Sequence, residues 1–338
     1  MAMTPLFLGL AGTILSDAER GFFGELGPAG FILFKRNVED PEQLRALTDS
    51  LRALSGRDDL PILIDQEGGR VARMQPPHWP AFPKAELFDR LYDIAPMTAI
   101  EAARHNAQAI AAMLRDVGIN VDCLPLLDVR QPGAHDIIGD RALGAEPLRV
   151  AAMGRAVIEG LRAGGAVGVV KHVPGHGRAM ADSHVELPVV DADAEALETD
   201  LAPFIKLADA PMAMTAHVVY PAWDPELCAS LSPTIIADII RGRIGFDGLL
   251  MSDDLGMHAL TGDFGSRAAA VLTAGCDIAL HCSGDMAEME AIAKAVGPIE
   301  APARNRLARA MATIEASGSG EVEELVAKRD ALMAVLRT

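Results

Sequence analysis

Ala166-Val-Gly-Val-Val-Lys-His-Val-Pro-Gly-His-Gly-Arg-Ala-Met-Ala-Asp-Ser-His184 is the stretch on which the fold reading of this chain turns. Its first residues, 166–170, form a short apolar run that reads as a buried strand ending on the cationic pair Lys171-His172. Pro174, Gly175 and Gly177 exclude a helix beyond it, so the polar groups here, with His176, Asp182 and His184 among them, belong to a loop. A rigid strand feeding a charged, histidine-rich loop is where enzymes place groups that move protons.

Working outward, the same strand-then-helix rhythm recurs along the whole chain. Candidate strands are Leu6–Ala11, Gly30–Phe34, Pro61–Ile64, Val121–Leu127, Val167–Val170, Ala213–Ala216, Leu249–Met251 and Asp277–Leu280. Amphipathic helices lie between most of them, at Pro41–Ala53, Ala99–Val117, Arg149–Ala163, Ala194–Leu207 and Pro233–Arg241. Strands alternating with helices imply a parallel α/β sheet, and eight is the number that closes a (β/α)8 barrel of the TIM type. The competing open, doubly wound sheet is weakened because no G-x-G-x-x-G turn follows any early strand. The barrel is expected over about residues 5–300 of a single domain, 1–338, with helices over about 301–338 packed against its outside. Gly318-Ser-Gly320 separates the last two of these helices. Met74 to Pro96, with five prolines and Trp79 and Phe82 among them, reads as a long loop.

Bulk properties narrow the function classes. A chain of 338 residues has ample length for a full core, and its apolar runs are too short to cross a bilayer. Leu6-Phe-Leu-Gly-Leu10 has no cationic residue before it and meets Asp17-Ala-Glu-Arg20 at once, so it reads as a first buried strand rather than a signal segment. A net charge of -17 argues against a nucleic-acid partner, because nothing offsets phosphate repulsion. Cys123, Cys228, Cys276 and Cys282 show no CxxC spacing and lie in or beside apolar segments, as reduced thiols of a cytoplasmic protein would.

Catalytic groups of a parallel barrel come from the C-terminal ends of its strands. Polar residues gather there repeatedly: Asp65-Gln-Glu67 after 62–64, Lys171-His172 after 167–170, His217 after 213–216, and Ser252-Asp-Asp254 after 249–251. Each has a plainer reading. Asp65 or Glu67 can cap the tight turn at Gly68-Gly69, Asp253 and Asp254 can cap a helix, and His217 can be a bonded core histidine. Their shared placement at strand ends favours a site. Zinc hydrolysis fails because His172 and His176 share a face only on a helix, which Pro174-Gly175 forbids. Ser–His chemistry lacks a G-x-S-x-G elbow. A carboxylate attacking an electrophilic carbon with help from an acid/base fits better, and either Asp253 or Asp254 can be that nucleophile.

Four ordered segments carry a family resemblance: Ile64-Asp-Gln-Glu-Gly-Gly-Arg70, Ile138-Gly-Asp-Arg141, Lys171-His-Val-Pro-Gly-His-Gly177 with Asp182-Ser-His184, and Met251-Ser-Asp-Asp-Leu-Gly-Met257. Together they resemble the successive signatures of family 3 glycoside hydrolases, above all the single-domain bacterial β-N-acetylglucosaminidases of peptidoglycan recycling. The resemblance implies Asp253 as nucleophile, His184 as acid/base and Asp182 as the group that orients it. It implies Asp65, Arg73, Arg141, Lys171 and His172 as holders of a terminal N-acetylglucosamine, and His176 as a shaper of the loop. It further implies a small carbohydrate or muropeptide substrate and no cofactor or metal.

The residues agree with those roles. An Asp two positions before a histidine can accept its second N–H, and an imidazole near its reference value of ~6.5 can both give and take a proton. A histidine acid/base departs from the usual pair of carboxylates. Arg178-Ala-Met180 and Gly256 also depart from the family pattern. Residues 174–184 are expected to swing His184 over the bound sugar. Two rival readings share these motifs: a phosphorylase using the same site, and a sugar-binding barrel without catalysis.

Overall fold

The structure, a computed structural model, describes residues 3–183, 185–314 and 320–337. Its strands, in chain order, are β1 (Thr4–Leu8), β2 (Pro28–Leu33), β3 (Ile62–Ile64), β4 (Val121–Asp122), β5 (Val167–Val173), β6 (Met212–Thr215), β7 (Val219–Tyr220), β8 (Asp224–Cys228), β9 (Leu249–Asp254) and β10 (Ile278–His281). All but β7 and β8 close into a parallel barrel in the order β1-β10-β9-β6-β5-β4-β3-β2. The helices are α1 (Asp17–Leu26), α2 (Pro41–Ser55), α3 (Ala85–Ile94), α4 (Pro96–Asp116), α5 (Pro147–Gly164), α6 (Ala194–Lys206), α7 (Phe264–Ala274), α8 (Met286–Ala295), α9 (Ala301–Met311) and α10 (Val322–Met333). The expected barrel is therefore present, and Leu6-Phe-Leu8 lies in its first strand.

Side chains alternate across a strand, so each barrel strand sends every second residue inward. Ile32, Leu63, Val121 and Val167 are register partners in turn and form one inner layer. Phe7, Val169, Met212, Met214, Leu249, Met251, Ile278 and Leu280 fill the rest of the interior. Outward residues such as Leu33, Ile64, Val170 and Leu250 pack under the surrounding helices.

Several expectations are corrected. The fourth strand was expected over Val121–Leu127 but pairs only through Asp122, with an isolated bridge from Leu126 to Lys171. Pro125 has no N–H to donate, so beyond Asp122 the contact with β5 is irregular, running through bonds from Val169 N and Lys171 N to the carbonyls of Leu124 and Pro125 at 3.0 and 3.1 Å. Lys171 and His172 are the last part of β5, not loop residues, because pairing with β6 continues to Val173. Met74–Pro96 is not all loop: its prolines end at Pro83, the proline-free stretch after it forms α3, and Pro96 opens α4. The helix expected at Pro233–Arg241 is π-type and spans Ile235–Arg243. The β7–β8 hairpin was not foreseen. Finally, α9 does not lie on the outer wall. Ala303, Leu307, Ala310 and Met311 pack with the barrel's interior residues and close the end opposite the strands' C-termini. Of the two helices at the described end of the chain, α10 is the one that packs on the outside, against α4, where buried Arg329 donates to Asn106 at 3.1 Å. Ser319 and residues 315–318, which include Gly318, lie outside the described residues.

Candidate active site

The inward alternation that builds the core also builds the site. Continuing past the apolar layers, the inward series Leu63, Val169, Met251 and Leu280 leads to Asp65, Lys171, Asp253 and Cys282 at the barrel mouth. These residues line a cavity of about 220 Å³ together with Phe34, Glu67, Arg70, Arg73, Arg141, His172, His176, Ser183, Asp254 and Met257. Asp65, Arg73, Arg141, Lys171, His172 and Asp253 are thus brought together as expected. His184 lies outside the described residues. Asp182 is described, and its carbonyl accepts the N–H groups of Val185 and Glu186 at 2.9 and 3.0 Å.

The parity of β9 separates the two aspartates. Asp253 has the inward phase of Leu249 and Met251 and is buried at the cavity wall. One of its oxygens accepts the Asp254 N–H at 2.8 Å. Asp254 has the outward phase. Its Oδ1 accepts N–H groups of Gly256 and Cys282, each at 3.0 Å, so it ties the ends of β9 and β10 together. A Cβ at position 256 would sit 2.9 Å from Asp254 Oδ2, so glycine there gives this carboxylate room.

Opposite Asp253 runs a chain of alternating charges. Arg73 Nη2 donates to Asp65 Oδ2 at 3.2 Å, and Lys171 Nζ donates to Asp65 Oδ1 at 3.0 Å and to Glu67 Oε1 at 2.7 Å. Arg141 then grips Glu67 with Nε at 2.8 Å and Nη2 at 2.7 Å. Burial would raise both carboxylates, but Lys171 with Arg73 holds Asp65 well below its usual range. Lys171 with Arg141 lowers Glu67 to about 2. Lys171 is pushed up in turn: the two carboxylates outweigh the burial that would discharge it. Asp65, Glu67, Lys171 and Arg141 stay charged near neutrality.

Asp128, which sequence reasoning passed over, organises the histidines. It is fully buried and accepts the His172 Nδ1–H at 2.8 Å and the backbone N–H groups of His172 and His176 at 3.2 and 2.7 Å. Burial alone would raise its carboxyl; His172 and His176 bring it down to about 2. With Nδ1 committed to Asp128, Nε2 is the His172 nitrogen left for a ligand. His217, the core-histidine alternative, is fully buried between Ser230 Oγ at 2.8 Å and the Asp254 carbonyl at 3.0 Å. It braces the end of β9 rather than facing the cavity.

The loop after β5 is pinned at its start. Tyr220 Oη donates to the Gly175 carbonyl at 2.8 Å, and a Cβ on Gly177 would meet the Val129 carbonyl at 2.0 Å. Arg178, one of the departures from the family pattern, donates to Asp200 at 2.5 Å and to the Ala196 carbonyl at 3.0 Å, anchoring the loop to α6. Met180, Val185 and Leu187 beyond it are exposed.

Comparison with known proteins agrees with this geometry. The model of the glycosyl hydrolase family 3 N-terminal domain matches residues 15–314. A β-hexosaminidase of Alkalilimnicola ehrlichii is 41% identical over 288 residues, covering 84% of this chain and 82% of the relative. A β-hexosaminidase of Aromatoleum aromaticum is 40% identical over 284 residues, covering 82% and 79%. The crystal structure of NagZ from Neisseria gonorrhoeae in complex with N-trifluoroacetyl-D-glucosamine superposes with a TM-score of 0.87 at 30% identity, covering 99% of this chain and 98% of that one.

Proposed function

Because the chain belongs to glycosyl hydrolase family 3, we propose that it is a retaining exo-β-N-acetylglucosaminidase acting through a covalent glycosyl-Asp253 intermediate. The observation that carries this reading is the inward placement of Asp253 across one cavity from Asp65, Lys171, Arg141 and His172. A terminal sugar fits there with its hydroxyls donating to Asp65 and accepting from Lys171 and Arg141. The similarity to the Neisseria protein, which holds an N-acylated glucosamine analogue, favours N-acetylglucosamine as that sugar.

In the first step a carboxylate oxygen of Asp253 attacks C1 while the C1–O bond to the leaving group breaks. His184, as an imidazolium held by Asp182, donates its proton to the departing oxygen and is left as neutral imidazole. In the second step water loses a proton to His184, its oxygen bonds C1, and Asp253 leaves as the carboxylate. The fixed cations and carboxylates need no rearrangement as positive charge develops on the sugar ring, which is where preorganisation lowers the barrier. We place the substrate among muropeptides ending in 1,6-anhydro-N-acetylmuramic acid, in peptidoglycan recycling, on the strength of the sequence resemblance, which goes beyond the β-hexosaminidase activity that the relatives' names give.

The test is turnover of a chromogenic N-acetyl-β-glucosaminide, with labelling by a slow-reacting fluorinated sugar. Asp253→Ala is expected to lose at least ~10⁴-fold in kcat, a loss typical of removing a nucleophile. Mass spectrometry is expected to find the label on the peptide carrying Asp253. Label on Asp254 or on a glutamate would overturn the assignment. Acceleration by phosphate with release of sugar 1-phosphate would replace hydrolysis by phosphorolysis.

A further inference from the structure

Glu67 carries a second consequence of the tight turn on which it sits. The turn 67–71 is closed by hydrogen bonds from Glu67 N and Gly68 N to the Val71 carbonyl at 2.9 and 3.1 Å. Gly68 and Gly69 hold positive φ of 93° and 57°, and a Cβ on Gly68 would lie 2.4 Å from the Pro83 carbonyl. The backbone is therefore fixed from both sides. From it Arg70 reaches outward to the carbonyls of Asp136 and Ile137 at 2.7 and 2.8 Å and to Asp140 at 3.0 Å. Glu67 reaches inward to Arg141 of the same neighbouring loop. One rigid turn thus grips residues 136–141 at two points.

We propose that Glu67 is the positioning residue of the sugar-binding wall, aiming Arg141 and Lys171 at the ligand, rather than a cap for its own turn. This rests on the hydrolase reading given above. Its carboxylate makes no hydrogen bond to the turn's own N–H groups among the described residues. Instead both oxygens are taken up by Arg141, and Oε1 is shared with Lys171. The side chain is buried, with a relative exposure of 5%, so this charge has no solvent to fall back on. Remove it and two cations face each other across a dry gap, Lys171 keeping Asp65 alone and Arg141 keeping only the Ile137 carbonyl. Arg141 and Lys171 then swing away from where sugar hydroxyls sit, while Asp253 on the far wall keeps its backbone-bonded place.

The experiment is kcat/KM toward p-nitrophenyl N-acetyl-β-glucosaminide for wild type, Glu67→Gln, Glu67→Asp, Arg141→Met and the Glu67→Gln/Arg141→Met double variant. Glu67→Gln is expected to lower kcat/KM by about 10²–10³-fold, with Glu67→Asp recovering part of the loss. If Glu67 works through Arg141, the double variant falls no more than about threefold below Arg141→Met alone. A purely structural role would leave the losses of Glu67→Gln and Arg141→Met independent, so that they multiply. A Glu67→Gln variant within about threefold of wild type, or losses that multiply in the double variant, overturns the proposal by the same additivity criterion. If Glu67→Gln fails to fold by circular dichroism, Glu67→Asp with Arg141→Met supplies the same cycle. An active wild type with an indifferent Glu67 removes this proposal alone, whereas an inactive wild type removes the hydrolase reading and this one with it.

Discussion

His176 stays neutral well below the ordinary histidine range. Burial first, and the neighbouring His172 second, bring its imidazole down to about 4 against the pull of Asp128 and Asp253. Its Nδ1 is buried without a hydrogen-bond partner among the described residues. In the unfolded chain the same group takes a proton near 6.5, so between these values the unfolded state binds more protons. Stability from this residue is therefore complete above pH ~6.5, declines as pH falls, and levels off below about 4, a difference of about 3 kcal/mol. Asp200, raised to about 6 mainly by burial, has the opposite sign over part of the same range. The comparison of wild type with His176→Gln isolates the histidine: denaturant unfolding at pH 7 and pH 4 should show the wild type losing more stability than the variant. An equal loss would mean that His176 is protonated in the folded state.

At this scale the sequence was most informative where strand period reaches past the core. The polar strand ends were visible in the sequence, but the residues alone left either Asp253 or Asp254 as nucleophile. Only the inward phase of Met251 in the folded barrel separates the two, and the same phase places Asp65 and Lys171 at the cavity. Asp128 and Glu67 carried no comparable signal. Asp128 follows a strand whose ladder ends at Asp122, and Glu67, though at the parity of Asp65, sits at a tight turn that offered an equally good capping role.

Among elements, α4 and α5 show how closely the helical layer is drawn together. The α4 face is built from alanines, and α5 meets it with glycines. A Cβ on Gly160 would lie 2.3 Å from the Arg104 carbonyl, and one on Gly164 would lie 2.5 Å from that of Gln108. Gly160→Ala is expected to destabilise the protein by about 1–3 kcal/mol despite better helix propensity, because backbone must move. Gly24→Ala in α1 is the matched control. Its nearest neighbour would be Leu54 Cδ1 at 3.5 Å, ordinary contact, so propensity should win by up to ~1 kcal/mol. Urea unfolding of the two variants checks both signs, and a stabilised Gly160→Ala would disprove the close approach. The pinned start of the β5–α6 loop similarly confines any swing of the acid/base to residues after Ala179, so amide exchange should be slow at 175–179. Element types were legible wherever a period of 3.6 ran for three turns. They were missed where proline density masked a short helix, as in α3, or where strands carried no apolar run, as in the partly exposed β8 of the hairpin.

For the whole molecule, the charge of -17 acts on encounter rather than on chemistry. The cations at the cavity are largely neutralised by their own partners, Arg73 by Asp65, Arg141 by Glu67 and Arg70 by Asp140, so the overall field is what an approaching ligand meets first. For a substrate carrying several carboxylates, kcat/KM should rise about two- to fivefold between 10 and 300 mM salt as repulsion is screened, while a neutral chromogenic glycoside changes little. A fall with salt for the anionic substrate would show that local cations steer it instead. The barrel itself could be read from the repetition of strand and helix. The placement of α9 could not, because an amphipathic helix has the same pattern whether its apolar face meets an outer wall or the open end of a barrel.

That placement makes the order of synthesis matter. The first strand pairs with β2 early but finds its second partner only when β10, residues 278–281, has emerged, and the inner layer of Phe7, Leu63 and Val121 is sealed by Leu307 and Met311 later still. A nascent chain paused anywhere earlier presents an unsealed hydrophobic bore and an unpaired edge, so its ribosome-bound intermediates are natural clients for chaperones and the last helix of the barrel is the step that releases them.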